Sequence, residues 1–142
     1  MLGKALLTVD AIGLLLGAPI ADMSHSHIYN DRWPPHAKFH CGQTITLSVI
    51  LGLGTLFFTW RSSFLSRSTP APVAARVARD SLHAAVFTGT IYWLAGLAAV
   101  LFPGSAGIDP EFGPPETFPQ APVFTAFAGL AVLGWAYETL LH

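Results

Sequence analysis

The sequence predicts an all-α fold: an integral membrane four-helix bundle, with residues 1–142 forming a single transmembrane domain. Three features predict it. Charged residues make up 11% of the chain against 52% apolar, with a mean hydropathy of +0.52. A soluble domain carries about 25% charged residues to keep its surface in water. Four apolar stretches are each long enough to cross about 30 Å of hydrocarbon, and polar or proline-rich segments separate them.

The helices are predicted at about 2–21, 35–60, 72–102 and 122–141. The first begins after Met1 and ends where Asp22 opens a polar stretch. Its apolar run contains Asp10 and leads into further spans, so a retained helix is expected and not a cleaved signal peptide. Trp33-Pro34-Pro35 interrupts the chain, and Pro35 suits the first turn of the second helix, where its missing N–H would be unpaired anyway. Arg61, Ser62, Ser63, Ser66, Arg67, Ser68 and Pro70 mark the second connection, and Pro72 opens the third helix. From Pro103 to Pro122, six prolines and three glycines occur in twenty residues, with Asp109, Glu111 and Glu116. This is an extended connection on the solvent side, able to fold back as a lid. The fourth span follows.

Lys4, Arg61, Arg67, Arg76 and Arg79 share the side of the N-terminus and the second connection, while only Arg32 and Lys38 lie opposite. The positive-inside rule then puts both termini in the cytosol, with the endoplasmic reticulum the expected membrane. The histidine-rich first connection and the proline-rich third connection share the other face. A net charge of -1 leaves no basic patch to neutralise phosphates, so no nucleic-acid partner is expected. One cysteine, Cys41, forms no intramolecular disulfide.

Ionisable side chains inside a bilayer are functional candidates because their burial is expensive. Asp10 sits among Val9, Ala11, Ile12 and Leu14; it is either a structural carboxyl bonded to a neighbouring helix or a reacting group. Glu138 and His83 lie near helix ends, where snorkelling is easy. The densest polar stretch is Asp22 to His40, which holds four of the six histidines. His36 and His40, spaced i, i+4, project from one face at the start of the second helix. Gln43, Thr44 and Ser48 extend that face, and Asp22 lies at a similar depth. Tyr29 and Trp33 suit an aromatic belt at the interface.

Two chemistries use such a set. Imidazoles at i, i+4 with a carboxylate resemble a metal site, but no glutamate lies between them and Lys38 puts a cation among the ligands. Metal-free acid–base catalysis tolerates the lysine and needs no cofactor: a carboxylate beside histidine extracts a proton while a second group protonates a leaving oxygen. It is the preferred reading.

His27-Ile28-Tyr29-Asn30, followed by Trp33-Pro34-Pro35-His36-Ala37-Lys38-Phe39-His40, resembles small multi-span membrane hydrolases encoded beside fungal polyene polyketide synthases of the citreoviridin and aurovertin kind. The string covers the first forty or so residues, and hydropathy alone covers the rest. The resemblance implies epoxide opening, by water or by an internal hydroxyl that closes an oxygen ring, on a hydrophobic polyketide of secondary metabolism. Asp22 or Asp10 is then the candidate base, with His27, His36 or His40 as acid or orienter. Lys38 or a protonated histidine would stabilise the developing alkoxide. Phe39, Tyr92 and Trp93 are candidate groove walls, and Asn30, Trp33 and Gln43 candidate substrate contacts. Tyr92 and Trp93 equally suit a plain core.

Two other functions stay open. One is an acid–base isomerase of sterol-like or terpenoid substrates, of the general design of emopamil-binding-type bundles, whose motif order is not matched. The other is a non-catalytic lipid binder or subunit. Gly52, Gly54, Gly89, Gly96, Gly129 and Gly134 allow close helix contact within one chain or in a homodimer.

Overall fold

The computed structural model describes residues 1–140, and among them every regular element is helical. Helix α1 spans Leu2–Asp22, α2 Pro35–Trp60, α3 Ala71–Ala98 and α4 Gln120–Leu140. Short 3₁₀ turns extend α2 over Arg61–Phe64 and α3 over Ala99–Leu101. All four helices are long and apolar enough to cross a membrane. The fourth starts two residues before its predicted 122, because Pro122 occupies a first-turn position where its missing N–H has no partner to lose. Its predicted last residue, Leu141, lies outside the described residues.

Each helix packs against its neighbours in sequence, and α4 closes back on α1. The α1–α3 diagonal is also in contact. The buried stripe of α1 is Gly3, Leu7, Asp10, Ala11, Leu14 and Ala18; that of α2 includes Ser48, Gly52, Thr55 and Thr59. Both recur at three- and four-residue steps, one narrow face of a helix. The interior therefore sets small and polar residues beside Leu7, Leu14 and Trp93, while many large apolar residues point outward. Ile50 is 59% exposed, Phe87 64% and Leu133 62%. In water such a surface would be an aggregation liability; in a bilayer it is the solvated face.

Helix association in lipid gains little from hydrophobicity and relies on close packing and interhelical hydrogen bonds. Both are present. Ser48 Oγ donates to the Leu14 carbonyl at 2.6 Å, and the Thr55 and Thr88 hydroxyls share a bond of 2.9 Å. Trp60 Nε1 donates to Thr8 Oγ1 at 3.1 Å, fixing the end of α2 beside the start of α1. Gly52 lets α2 settle on α1, where a Cβ would meet the Ala11 carbonyl at 3.0 Å and Leu15 Cγ at 2.8 Å. Gly89, Gly96 and Gly134 likewise face neighbours within the chain, whereas Gly129 faces open space.

These contacts rank two substitutions. Ser48→Ala is expected to cost about 0.6 kcal/mol, the usual worth of one interhelical hydrogen bond in lipid. Gly52→Leu should cost about 1–3 kcal/mol through overpacking. Unfolding in denaturing detergent, followed by circular dichroism, measures both, and equal losses would contradict the packing described.

Candidate functional site

The first connection is short and hydrogen-bonded to itself. His27 N–H donates to the Ser24 carbonyl at 3.1 Å, Ile28 N–H to that of Asp22 at 3.1 Å, and Tyr29 N–H to that of Ser24 at 2.9 Å. These turns fold the chain back over the end of α1 and bring the His27 ring to the Asp22 carboxyl. His27 Nε2 lies 3.8 Å from Asp22 Oδ1, an ion-pair distance somewhat longer than a hydrogen bond. On its other side His27 Nδ1 bonds Ser26 Oγ at 2.8 Å, which in turn meets Ser24 Oγ at 2.9 Å. Trp33 supports the imidazole edge-on, 5.1 Å between ring centres.

The third connection covers this end of the bundle. Glu111 accepts a hydrogen bond from Asn30 Nδ2 at 3.0 Å and pairs with Arg32. Asp109 accepts from Trp33 Nε1 at 3.2 Å. Asn30 is 6% exposed, and its Oδ1 accepts from the Arg32 backbone N–H at 2.9 Å, so this asparagine is consumed by the latch between the connections. At the start of α4, Gln120 Nε2 donates to the Gly107 carbonyl at 2.7 Å.

Asp22 and His27 border a cavity of about 590 Å³ between α1 and α4, within the ordinary range of small-molecule sites. Its floor is aromatic: Trp93 stacks on Phe127 at 4.9 Å, and Tyr92 meets Trp93 edge-on at 5.1 Å. Its outer rim is the bilayer-facing side of α1. The pair also borders a second space of about 410 Å³ shared with Tyr92, Gln120 and the third connection. A third, of about 380 Å³, is shared with Trp33, His40 and Cys41.

Asp10 lies about 18 Å deeper along α1, at 1.5 Å per residue. It is fully buried and takes a hydrogen bond from Trp93 Nε1 at 2.8 Å. Its other oxygen, Oδ2, has no hydrogen-bond partner among the described residues and points at Gly89, where a Cβ would lie 2.5 Å away. Asp10 therefore sits behind the cavity floor and positions Trp93.

The candidates chosen from sequence thus divide. Asp22, His27, Tyr92 and Trp93 converge on one cavity, with His40 and Trp33 beside them. His36 is exposed and bonds His40, Nε2 to Nε2, at 3.1 Å; His40 Nδ1 meets Gln43 Oε1 at 3.2 Å. Phe39, 65% exposed, stacks on His36. Lys38 borders none of these three spaces. Among the described residues, no three His, Cys, Asp or Glu side chains are grouped as a metal site requires. Sequence reasoning missed Gln120, Phe124 and Phe127, which line the cavity from α4. Gln120 lay in the proline-rich stretch and carried no helical signal; the phenylalanines were indistinguishable from lipid-facing ones.

The chain matches a family of unknown function, DUF6640, over residues 6–140, and belongs to it. No curated protein and no solved structure matches the chain.

Two outcomes follow from this geometry. Trp93→Phe removes the sole hydrogen bond seen at the buried Asp10 carboxyl and should destabilise the protein by about 1–3 kcal/mol. In a double-mutant cycle, adding Asp10→Leu should recover part of that loss; strict additivity would mean the pair is uncoupled. Separately, Glu111→Ala opens the latch at both Asn30 and Arg32. Amide exchange across residues 103–119 should then rise about tenfold, while exchange in the helices stays as it was.

Proposed function

We propose that this protein is a membrane-embedded enzyme that performs acid–base chemistry on an apolar small molecule, with epoxide opening as its reaction. One observation carries the reading. Asp22 and His27 are paired at 3.8 Å, and both border a largely apolar cavity beneath a latched connection. A carboxylate paired with an imidazolium sets a base and an acid side by side. Epoxide opening is what the His27–Asn30 and Trp33–His40 resemblance adds.

In this mechanism the Asp22 carboxylate removes a proton from water, or from a substrate hydroxyl, as that oxygen attacks an epoxide carbon. The carbon–oxygen bond breaks, and the epoxide oxygen leaves with the electron pair. The His27 imidazolium protonates it, and the Asp22 carboxyl then returns its proton to His27, 3.8 Å away. The net change is addition of water or closure of an oxygen ring, with no electron transferred. Asp10 and Trp93 shape the floor and take no part in proton transfer.

The same reading sets the protein in the endoplasmic reticulum membrane with both termini cytosolic. Its support is the clustering of Lys4, Arg61, Arg67, Arg76 and Arg79 at the end of the bundle opposite the Asp22–His27 pair. Lys4 Nζ donates to Ser62 Oγ at 3.3 Å there.

The test is turnover of a lipophilic epoxide by the reconstituted, chelator-treated protein, with mass spectrometry of the product in heavy-oxygen water. Asp22→Asn and His27→Gln should each lower the rate about 10²–10⁴-fold, while His36→Ala, at an exposed residue that lines none of these spaces, changes it less than about threefold. Absence of any oxygen-added or ring-closed product would overturn the epoxide reading. Deuterium uptake without addition of water would replace it with isomerisation.

A further inference from the structure

His36 and His40 stand one helical turn apart at the start of α2, and both are exposed. Their Nε2 atoms are 3.1 Å apart, their ring centres 4.5 Å, and their planes cross at 80°. A straight N–H···N bond of that length would hold the ring centres about 5.4 Å apart. The rings therefore meet at an angle and not head-on.

The separation matches a chelate. Two imidazole nitrogens on one zinc-like ion, at about 2.0–2.1 Å and about 100–109° apart, stand about 3.1–3.4 Å from each other. His40 is also supported from behind, where its Nδ1 meets Gln43 Oε1 at 3.2 Å. An amide oxygen there accepts the Nδ1 proton and leaves Nε2 with its lone pair, the outer bond that fixes the tautomer of metal-bound histidines. His36 Nε2–H then donates to His40, and an ion takes the place of that hydrogen once the His36 proton shifts to Nδ1. Phe39 stacks on the His36 ring, parallel to within 6°. Lys38 is two positions from each histidine, so the helix turns it away from both and removes the cation that spacing alone set among the ligands.

We infer that His36 and His40 form a two-ligand clip for a divalent ion of the zinc, nickel or copper kind, held through both Nε2 atoms. Imidazole suits these ions, whereas magnesium and calcium take oxygen ligands. Among the described residues no third His, Cys, Asp or Glu joins the pair, so water or a donor from outside fills the remaining positions. With half the ligands of a structural zinc site, the clip should bind with a Kd of about 1–100 µM. His36 borders none of the spaces that Asp22 and His27 share, and the clip stands apart from the acid–base reading.

Calorimetric titration of zinc ion into the full chain, in nanodiscs and free of any histidine tag, tests this. One ion per chain should bind in that range, and magnesium should not bind. His36→Ala and His40→Ala should each weaken zinc at least tenfold, and the double variant little more than either, since one imidazole makes no chelate. Gln43→Leu should weaken it about tenfold through loss of the outer bond, while His25→Ala leaves it unchanged. Copper(II) in place of zinc gives a direct count of ligands. Its electron paramagnetic resonance should show two bound imidazole nitrogens in the native protein and at most one in either single variant. Both histidines are exposed, so these variants should keep the native helix content by circular dichroism. The absence of saturable zinc binding below about 1 mM would overturn the inference, as would binding that survives His36→Ala at full strength.

Discussion

Asp10 is a carboxyl group at the centre of an apolar bundle, and the indole of Trp93 is what makes its burial tolerable. The 2.8 Å bond between them crosses the diagonal of the bundle and joins α1 to α3. Much else depends on it. Gly89 must lack a side chain, because Asp10 Oδ2 takes up the space beside it. Trp93 is held flat against Phe127 and so becomes the floor of the cavity. A polar group that looks catalytic in isolation thus fixes one wall of the cavity.

The remaining interior follows the same economy. Beside Leu7, Leu14 and Trp93, this bundle buries Ser48, Thr55, Thr59 and Ser81 with alanines, and it exposes many of its large side chains. That inversion is what the bilayer demands, since lipid is as apolar as leucine and rewards only close contact and satisfied polar groups. It also explains why the cavity lies off-centre, between α1 and α4. The bundle axis holds small residues in contact, and the Phe124 and Phe127 rings seat directly on Gly96 and Gly13.

At the polar end, two connections from distant parts of the sequence act as one unit. Asn30, Arg32 and Trp33 of the first meet Asp109 and Glu111 of the third. Both partners are polar, both lie outside the helices, and their union covers the end of the bundle that carries Asp22 and His27. There the partly buried carboxylate–imidazole pair interacts more strongly than in bulk water.

The four spans, their near-exact limits and the polar character of the first connection were legible in the sequence, because hydropathy and proline act locally. Pro35 opens α2 wherever the rest of the chain goes. The lid expectation for residues 103–122 was legible in kind, though its partners were not. Among the site candidates, the i, i+4 spacing of His36 and His40 does put them side by side, yet it cannot say which way their face turns. Only the packing of α2 on α1, set by Gly52 and Ser48, leaves His36 exposed and His40 at the border of the Asp22 space. His27 reached Asp22 through loop hydrogen bonds that no periodicity encodes. Gln120 came into view only when α4 was seen to start there. Local chemistry determines where helices begin and which residues are polar; which polar residues meet is decided by long-range contacts, since a side chain's neighbours across a bundle leave no trace in its own stretch of sequence.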